Sequence, residues 1–181
     1  MLVWCIAVAR FRRLRVPCGQ VLPFGQKHPW RKEWLRLLRQ LKPALPVDYC
    51  VIVLADRGLY ARWLFRRIVR LGWHPFLRVN KGGTFGPQGT PRDKMSCFVA
   101  QVGGCWSGRG RAFCGAKREL NCTLLAYWEK GCAEPWLILT DLPPQSGQAA
   151  WYGLRAWIEQ GFKITKRGGA SSGSGSGNAR R

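Results

Sequence analysis

Residues 50–58 read CVIVLADRG. Cys50 to Ala55 is an unbroken, β-rich apolar run, the pattern of a strand covered on both faces of a sheet. Asp56 stands where the run stops, followed by Arg57 and Gly58. Leu59, Trp63, Leu64, Ile68 and Leu71 then recur at helical spacing, and Gly72 stops that helix. Pro75 to Val79 begins another strand, ending near Arg78. Upstream, Leu2 to Ala9 reads as a buried strand. Arg10 to His28, with Pro17, Gly19, Pro23 and Gly25, reads as loop with room for one short strand. Trp30, Trp34, Leu37, Leu38 and Leu41 form one stripe of an amphipathic helix, ended by Pro43 and Pro46. Strands alternating with helices predict an α/β fold.

From Lys81 to about Glu134 the helical period disappears and glycines are dense, which predicts a mostly β insertion (81–134) with strands near Cys97 to Val102 and Thr123 to Trp128. Trp136 to Thr140 is another buried strand, and Asp141 to Gly147 a turn. A last helix is expected from about Gln148 to Lys166. Residues 168–181 are a polar Gly/Ser tail with no means of building a core. The folded domain is therefore expected over 1–167.

Thirty Lys and Arg against nine Asp and Glu give a formal charge of +21. A field of that sign attracts polyanions, nucleic acid first among them, although a membrane surface or a ribosome fits the same number. Leu2 to Ala9 is too short to span a bilayer, and its charges, Arg10, Arg12, Arg13 and Arg15, follow it, the wrong order for a secretion signal. The eight cysteines include no CxxC pair and suit neither a zinc knuckle nor a ribbon. They are expected to be reduced, mostly buried thiols of a cytoplasmic protein.

On the last helix, at about 100° per residue, Tyr152, Arg155, Glu159 and Lys166 fall within about 60° of one another. Trp151, Leu154, Trp157, Ile158 and Phe162 occupy the inward arc beside them. An ordinary amphipathic helix with a solvated Arg–Glu pair fits the same pattern. Asp56 likewise fits a turn residue capping the next helix.

The row Tyr152-x2-Arg155-x3-Glu159-x6-Lys166 is similar to the signature of a large family of bacterial insertion-sequence transposases, often called YREK. Val51 to Gly58, with Leu71-Gly72-Trp73 and Phe76-Leu77-Arg78-Val79, resembles the block around that family's second catalytic aspartate. The resemblance implies a ribonuclease H-like mixed sheet flanked by helices, with the β insertion between the second and third catalytic acids. It implies a DDE transposase that cuts and joins double-stranded DNA at transposon ends and target, with Mg²⁺ or Mn²⁺ in a two-metal site. Asp56 and Glu159 become catalytic metal ligands. Tyr152, Arg155, Lys166 and Arg57 become DNA contacts. Self-association in a synaptic complex, a bacterial cytoplasmic, nucleoid-associated location and no membrane partner follow from the same likeness.

One departure stands against full activity. The family's first aspartate lies upstream of the strand that Asp56 ends, and no acid here precedes Glu33. The expectation is a chain truncated at both ends, lacking its first ligand and weak or inactive as a nuclease alone. A non-catalytic basic DNA-binding remnant is the alternative, and an RNA-binding or ribosome-associated protein a third reading. Asp141 also ends a strand and is a candidate to approach the site. Trp106, among glycines, is a candidate for exposure and for stacking on a base.

Overall fold

A computed structural model describes residues 2–10, 13–22, 31–113 and 119–156. The chain divides into two compact units, one of Met1–Ala44 with Gly153–Arg181, the other of Leu45–Tyr152.

In the first unit, β1 (Leu2–Arg10) pairs antiparallel with β2 (Arg13–Leu22), Leu2 opposite Leu22 and Arg10 opposite Arg13. The second strand is ten residues long, where proline and glycine predicted mostly loop. A register shift between Ile6 and Val8 accounts for it: the partner strand carries one more residue there, at Val16 and Pro17, and a bulge tolerates the proline that a regular ladder would not. Helix α1 (Arg31–Leu41) buries Leu37, Leu38 and Leu41, with Glu33 in its first turn and Arg39 in its last, both favourable to the helix dipole.

The second unit is built on a seven-stranded mixed sheet. Its strands are β3 (Ile52–Ala55), β4 (His74–Arg78), β5 (Thr84–Pro87), β6 (Asp93–Lys94), β7 (Cys105–Ala112), β8 (Leu120–Tyr127) and β9 (Trp136–Thr140). The order across the sheet is β3-β4-β9-β8-β7-β5-β6. Only β3 and β4 are parallel, joined through α2 (Arg62–Arg70), and the other pairings are antiparallel. The molecule is thus mixed α/β. The strands of 81–134 are not a separate module: β8 is hydrogen-bonded along β9, and β7 and β5 carry the same sheet outward.

Because partners in a ladder share a face, the register assigns both cores. Phe76, Leu125 and Ile138 lie on one face, covered by Ala149 and Tyr152 from a 3₁₀ helix (Ala149–Leu154), with Ile52, Leu54, Trp136 and Trp151 packed around them. Leu77, Leu124, Leu137 and Leu139 face the other way, the side on which α2 buries Leu64, Phe65 and Ile68. Two threonines are buried on the first face without loss: Thr123 Oγ1 donates to the Leu142 carbonyl at 2.5 Å, and Thr140 Oγ1 accepts from Leu142 N–H at 3.3 Å.

Several expectations change. The run 50–55 forms an edge strand, so three of its four strand residues are only half-buried. Helix α2 starts at Arg62 with Ala61 as its N-cap, which leaves Leu59 in the preceding turn. The segment 97–102 is not a strand. Met95–Phe98 is a 3₁₀ helix, and its apolar side chains pack beneath the sheet instead of pairing. Of the five cysteines whose side chains are described, Cys50, Cys97 and Cys105 are exposed and only Cys122 is buried, because Cys105 takes an outward position of β7 while Cys50 and Cys132 lie in loops and Cys97 in the 3₁₀ helix. Among the described residues no helix is long and apolar enough to cross a membrane.

Trp106 is not a free ring. Its indole centroid lies 4.4 Å from that of Phe98 and 6.0 Å from that of Phe85, and the ring occupies the space beside Gly108, where a Cβ would stand 2.5 Å from it. Gly110 makes the same room for the Phe85 ring. A Cβ there would lie 2.7 Å from Phe85 Cζ and 2.2 Å from the Gly86 carbonyl oxygen.

Gly110→Ala is therefore expected to cost more than Gly72→Ala. Gly72 has φ 78° and open space around it, so alanine adds only left-handed strain, about 1–2 kcal/mol. Gly110 forces backbone to move and adds an overpacking cost of about 1–3 kcal/mol or more. Urea unfolding of both variants ranks them, and equal losses would contradict the close approach at β7.

Candidate functional site

Asp56 follows the last residue of β3, where the strand gives way to a tight turn. Its carbonyl accepts from Leu59 N–H at 2.8 Å, and its Oδ1 accepts from Arg57 N–H at 2.7 Å. The carboxylate therefore braces its own turn and does not cap α2, which begins at Arg62 behind Ala61, an N-cap with no side-chain hydrogen bond. The same Oδ1 accepts a hydrogen bond from Tyr152 Oη at 3.3 Å, from 96 residues further along the chain. Two short stretches singled out separately in the sequence thus meet at one oxygen.

Tyr152 reaches Asp56 from within the core. Its 3₁₀ helix advances three residues per turn, so Ala149 and Tyr152 stack on one face, 7% and 3% exposed. The regular α-helical phase expected here would have turned Leu154 inward and left Tyr152 at the margin; instead Leu154 is 45% exposed. Trp136 packs edge-on against the phenol ring at 5.8 Å between centroids. Arg155 is half-buried. Glu159 and Lys166 lie outside the described residues, so of the four-residue row only Tyr152 and Arg155 have a described position.

Two residues that the sequence did not mark as site residues complete the surroundings. Arg78 ends β4, the parallel neighbour of β3, and its guanidinium carbon stands 5.7 Å from the Tyr152 ring centroid. Glu134, in the loop before β9, makes an ion pair with Arg57 and lies 3.8 Å from Arg78 through the same Oε1. Parallel pairing puts the ends of β3 and β4 side by side, which was the available signal for Arg78. Glu134 carried no signal beyond being one of nine acids.

Asp141 does not approach this site. It follows β9, which runs antiparallel to β4, so it stands at the opposite end of the sheet from Asp56. There both carboxylate oxygens lie within 3.2 Å of His74 Nδ1, and Arg109 donates to the Asp141 carbonyl at 3.3 Å.

A divalent Mg²⁺ or Mn²⁺ site needs several hard oxygens. Among the described residues no three His, Cys, Asp or Glu side chains gather into such a group. Asp56 supplies one suitable donor, Glu134 is engaged by two guanidiniums, and Glu159 lies outside the described residues. What they do form is an acid–phenol contact with two arginines nearby, whose guanidiniums meet at Glu134 and are suited to holding an oxyanion there.

No protein-family model matches the sequence, and no curated protein matches it.

Tyr152→Phe removes only the hydroxyl and is expected to cost about 0.5–1.5 kcal/mol of stability. Tyr152→Ala also empties the core cluster and should cost about 3–5 kcal/mol. Chemical denaturation of both separates the bond from the packing, and equal losses would contradict a ring anchored by the core.

Proposed function

We propose that this chain is the catalytic-domain portion of a DDE-type DNA transposase with a ribonuclease H-like sheet, acting on double-stranded DNA at transposon ends. The single observation that supports it is the hydrogen bond from Tyr152 to Asp56, since those two residues come from the two separate blocks that carry the family resemblance. Supporting it further, Asp56 and Arg78 stand at the ends of adjacent parallel strands, and Arg57, whose backbone N–H bonds to the Asp56 carboxylate, carries its guanidinium to Glu134.

In this reading Asp56 is a catalytic carboxylate and, with Glu159, a ligand for Mg²⁺ or Mn²⁺. The metal would supply activation of the attacking oxygen for in-line displacement at phosphorus. Tyr152 fixes the carboxylate through Oδ1, while Arg57, Arg155 and Lys166 engage DNA phosphates. Self-association in a synaptic complex belongs to the same proposal. With no acid before Glu33 to serve as the family's first aspartate, cleavage by this polypeptide alone is weak or absent. That same acid count favours the second reading, a non-catalytic basic DNA-binding remnant.

Incubation with supercoiled DNA in Mg²⁺ or Mn²⁺ separates the two. Metal-dependent nicking that is lost in both Asp56→Ala and Glu159→Ala establishes the nuclease and overturns the expectation of weakness. Duplex binding without nicking favours the remnant, and no binding at low salt sinks both. Binding is expected to weaken steeply as salt rises, and removal of one phosphate-contacting arginine, as in Arg57→Ala, should lower the log–log slope by about 1.

A further inference from the structure

Three segments distant in the chain deliver one anion and two cations to a single point. Arg57 comes from the turn after β3, Arg78 from the end of β4, and Glu134 from the loop between β8 and β9. Both guanidiniums address the same atom, Glu134 Oε1, Arg57 through Nη1 in direct contact and Arg78 through Nη2 at 3.8 Å. The side chains are 40%, 14% and 27% exposed for Arg57, Arg78 and Glu134. The point is therefore open enough to be reached from solvent and dry enough to favour a charged ligand. An anion is held there although the Asp56 carboxylate belongs to the residue next to Arg57.

We propose that Arg57 and Arg78 form a site for a phosphoryl oxyanion, and that Glu134 is a tethered stand-in that fills it until a phosphoryl group displaces it. The inference deepens the transposase reading by adding a self-blocking contact at the same site, yet it requires only a phosphoryl ligand. A carboxylate presents two oxygens, of which one is used here, whereas a phosphate presents more and matches the forked donors of two arginines. The occupant is easily displaced, because a partly solvated ion pair contributes little, about 0–1 kcal/mol. Its departure does not require the loop to unfold. The loop backbone stays pinned, with Trp128 Nε1 donating to the Cys132 carbonyl at 2.9 Å and Cys132 N–H to the Glu129 carbonyl at 3.1 Å. Rotation of the Glu134 side chain is sufficient. Arg78 meanwhile keeps its place over the Tyr152 ring, which leaves the site formed after the carboxylate has left.

The test is titration of the full chain with inorganic phosphate and, separately, with a short blunt DNA duplex. Wild type is compared with Glu134→Gln, which keeps shape and removes charge. Glu129→Gln, on the same loop, corrects for the general loss of one negative charge. Circular dichroism confirms that each variant is folded. Glu134→Gln is expected to bind phosphate about fivefold more tightly than wild type, well beyond Glu129→Gln, the factor that loss of a competing surface ion pair allows. The gain should vanish in the double variant Arg57→Ala/Glu134→Gln. Unchanged or weaker phosphate binding in Glu134→Gln overturns the inference, since it makes Glu134 a support for the arginines and not their occupant. A gain with phosphate but no duplex binding by any variant keeps the site and removes the transposase reading. Duplex binding by wild type with no gain for either probe does the reverse.

Discussion

Antiparallel pairing of β9 with β4 joins the two halves of the sheet. Leu77 faces Leu139 and Arg78 faces Ile138, and through this short ladder the parallel β3–β4 pair is fastened to the β9–β8–β7 meander. Everything at the candidate site depends on it. The pairing puts Phe76 and Ile138 on one face, and that face receives the segment that follows β9. Tyr152 enters the cluster there and reaches the acid that ends β3. A slip of one residue in this register would turn Arg78 away from Tyr152 and exchange the two apolar faces.

Charge at this end of the sheet is arranged more economically than a net +21 suggests. Around Asp56 and Glu134, Arg57 contributes both its backbone N–H and its guanidinium, and Tyr152, from 96 residues beyond Asp56, contributes its phenol. The far end of the sheet has its own pair, His74 with Asp141, which ties the start of β4 to the residue after β9. Asp56, Glu134 and Asp141 are thus bound up near strand ends, where they fasten the termini of a sheet whose centre is almost wholly apolar.

Much of this was legible in the sequence where a local pattern was decisive. Apolar runs located β3, β4 and β9, and the 3.6-residue period located α1 and α2. The position of Asp56 at a strand end was readable from the break in its run. Other features depend on distant partners. That β3 is an edge strand follows from sheet order, which no local period encodes. The inward turn of Tyr152 follows from 3₁₀ geometry, where a helical wheel at α-helical phase points to Leu154. Glu134 was invisible because its meaning lies in two arginines brought to it by tertiary pairing. The glycines of β7 read in the sequence only as part of a glycine-dense, mostly β insertion, whereas in the sheet Gly108 and Gly110 are floor space for aromatic rings.

The ladder between β4 and β9 also carries a consequence for the order of assembly. Hairpin β7–β8 closes over a short connection, and β3–β4 over a single helix, so both are inexpensive in chain entropy. Joining Leu77 to Leu139 must wait until the intervening strands are compact, because a long loop is otherwise closed for the reward of one short ladder. The meeting of Tyr152 with Asp56 comes later still. A chain emerging from synthesis therefore acquires its sheet halves first and its phenol–carboxylate contact last, so that the chemistry-bearing end of the molecule matures only after the rest has closed.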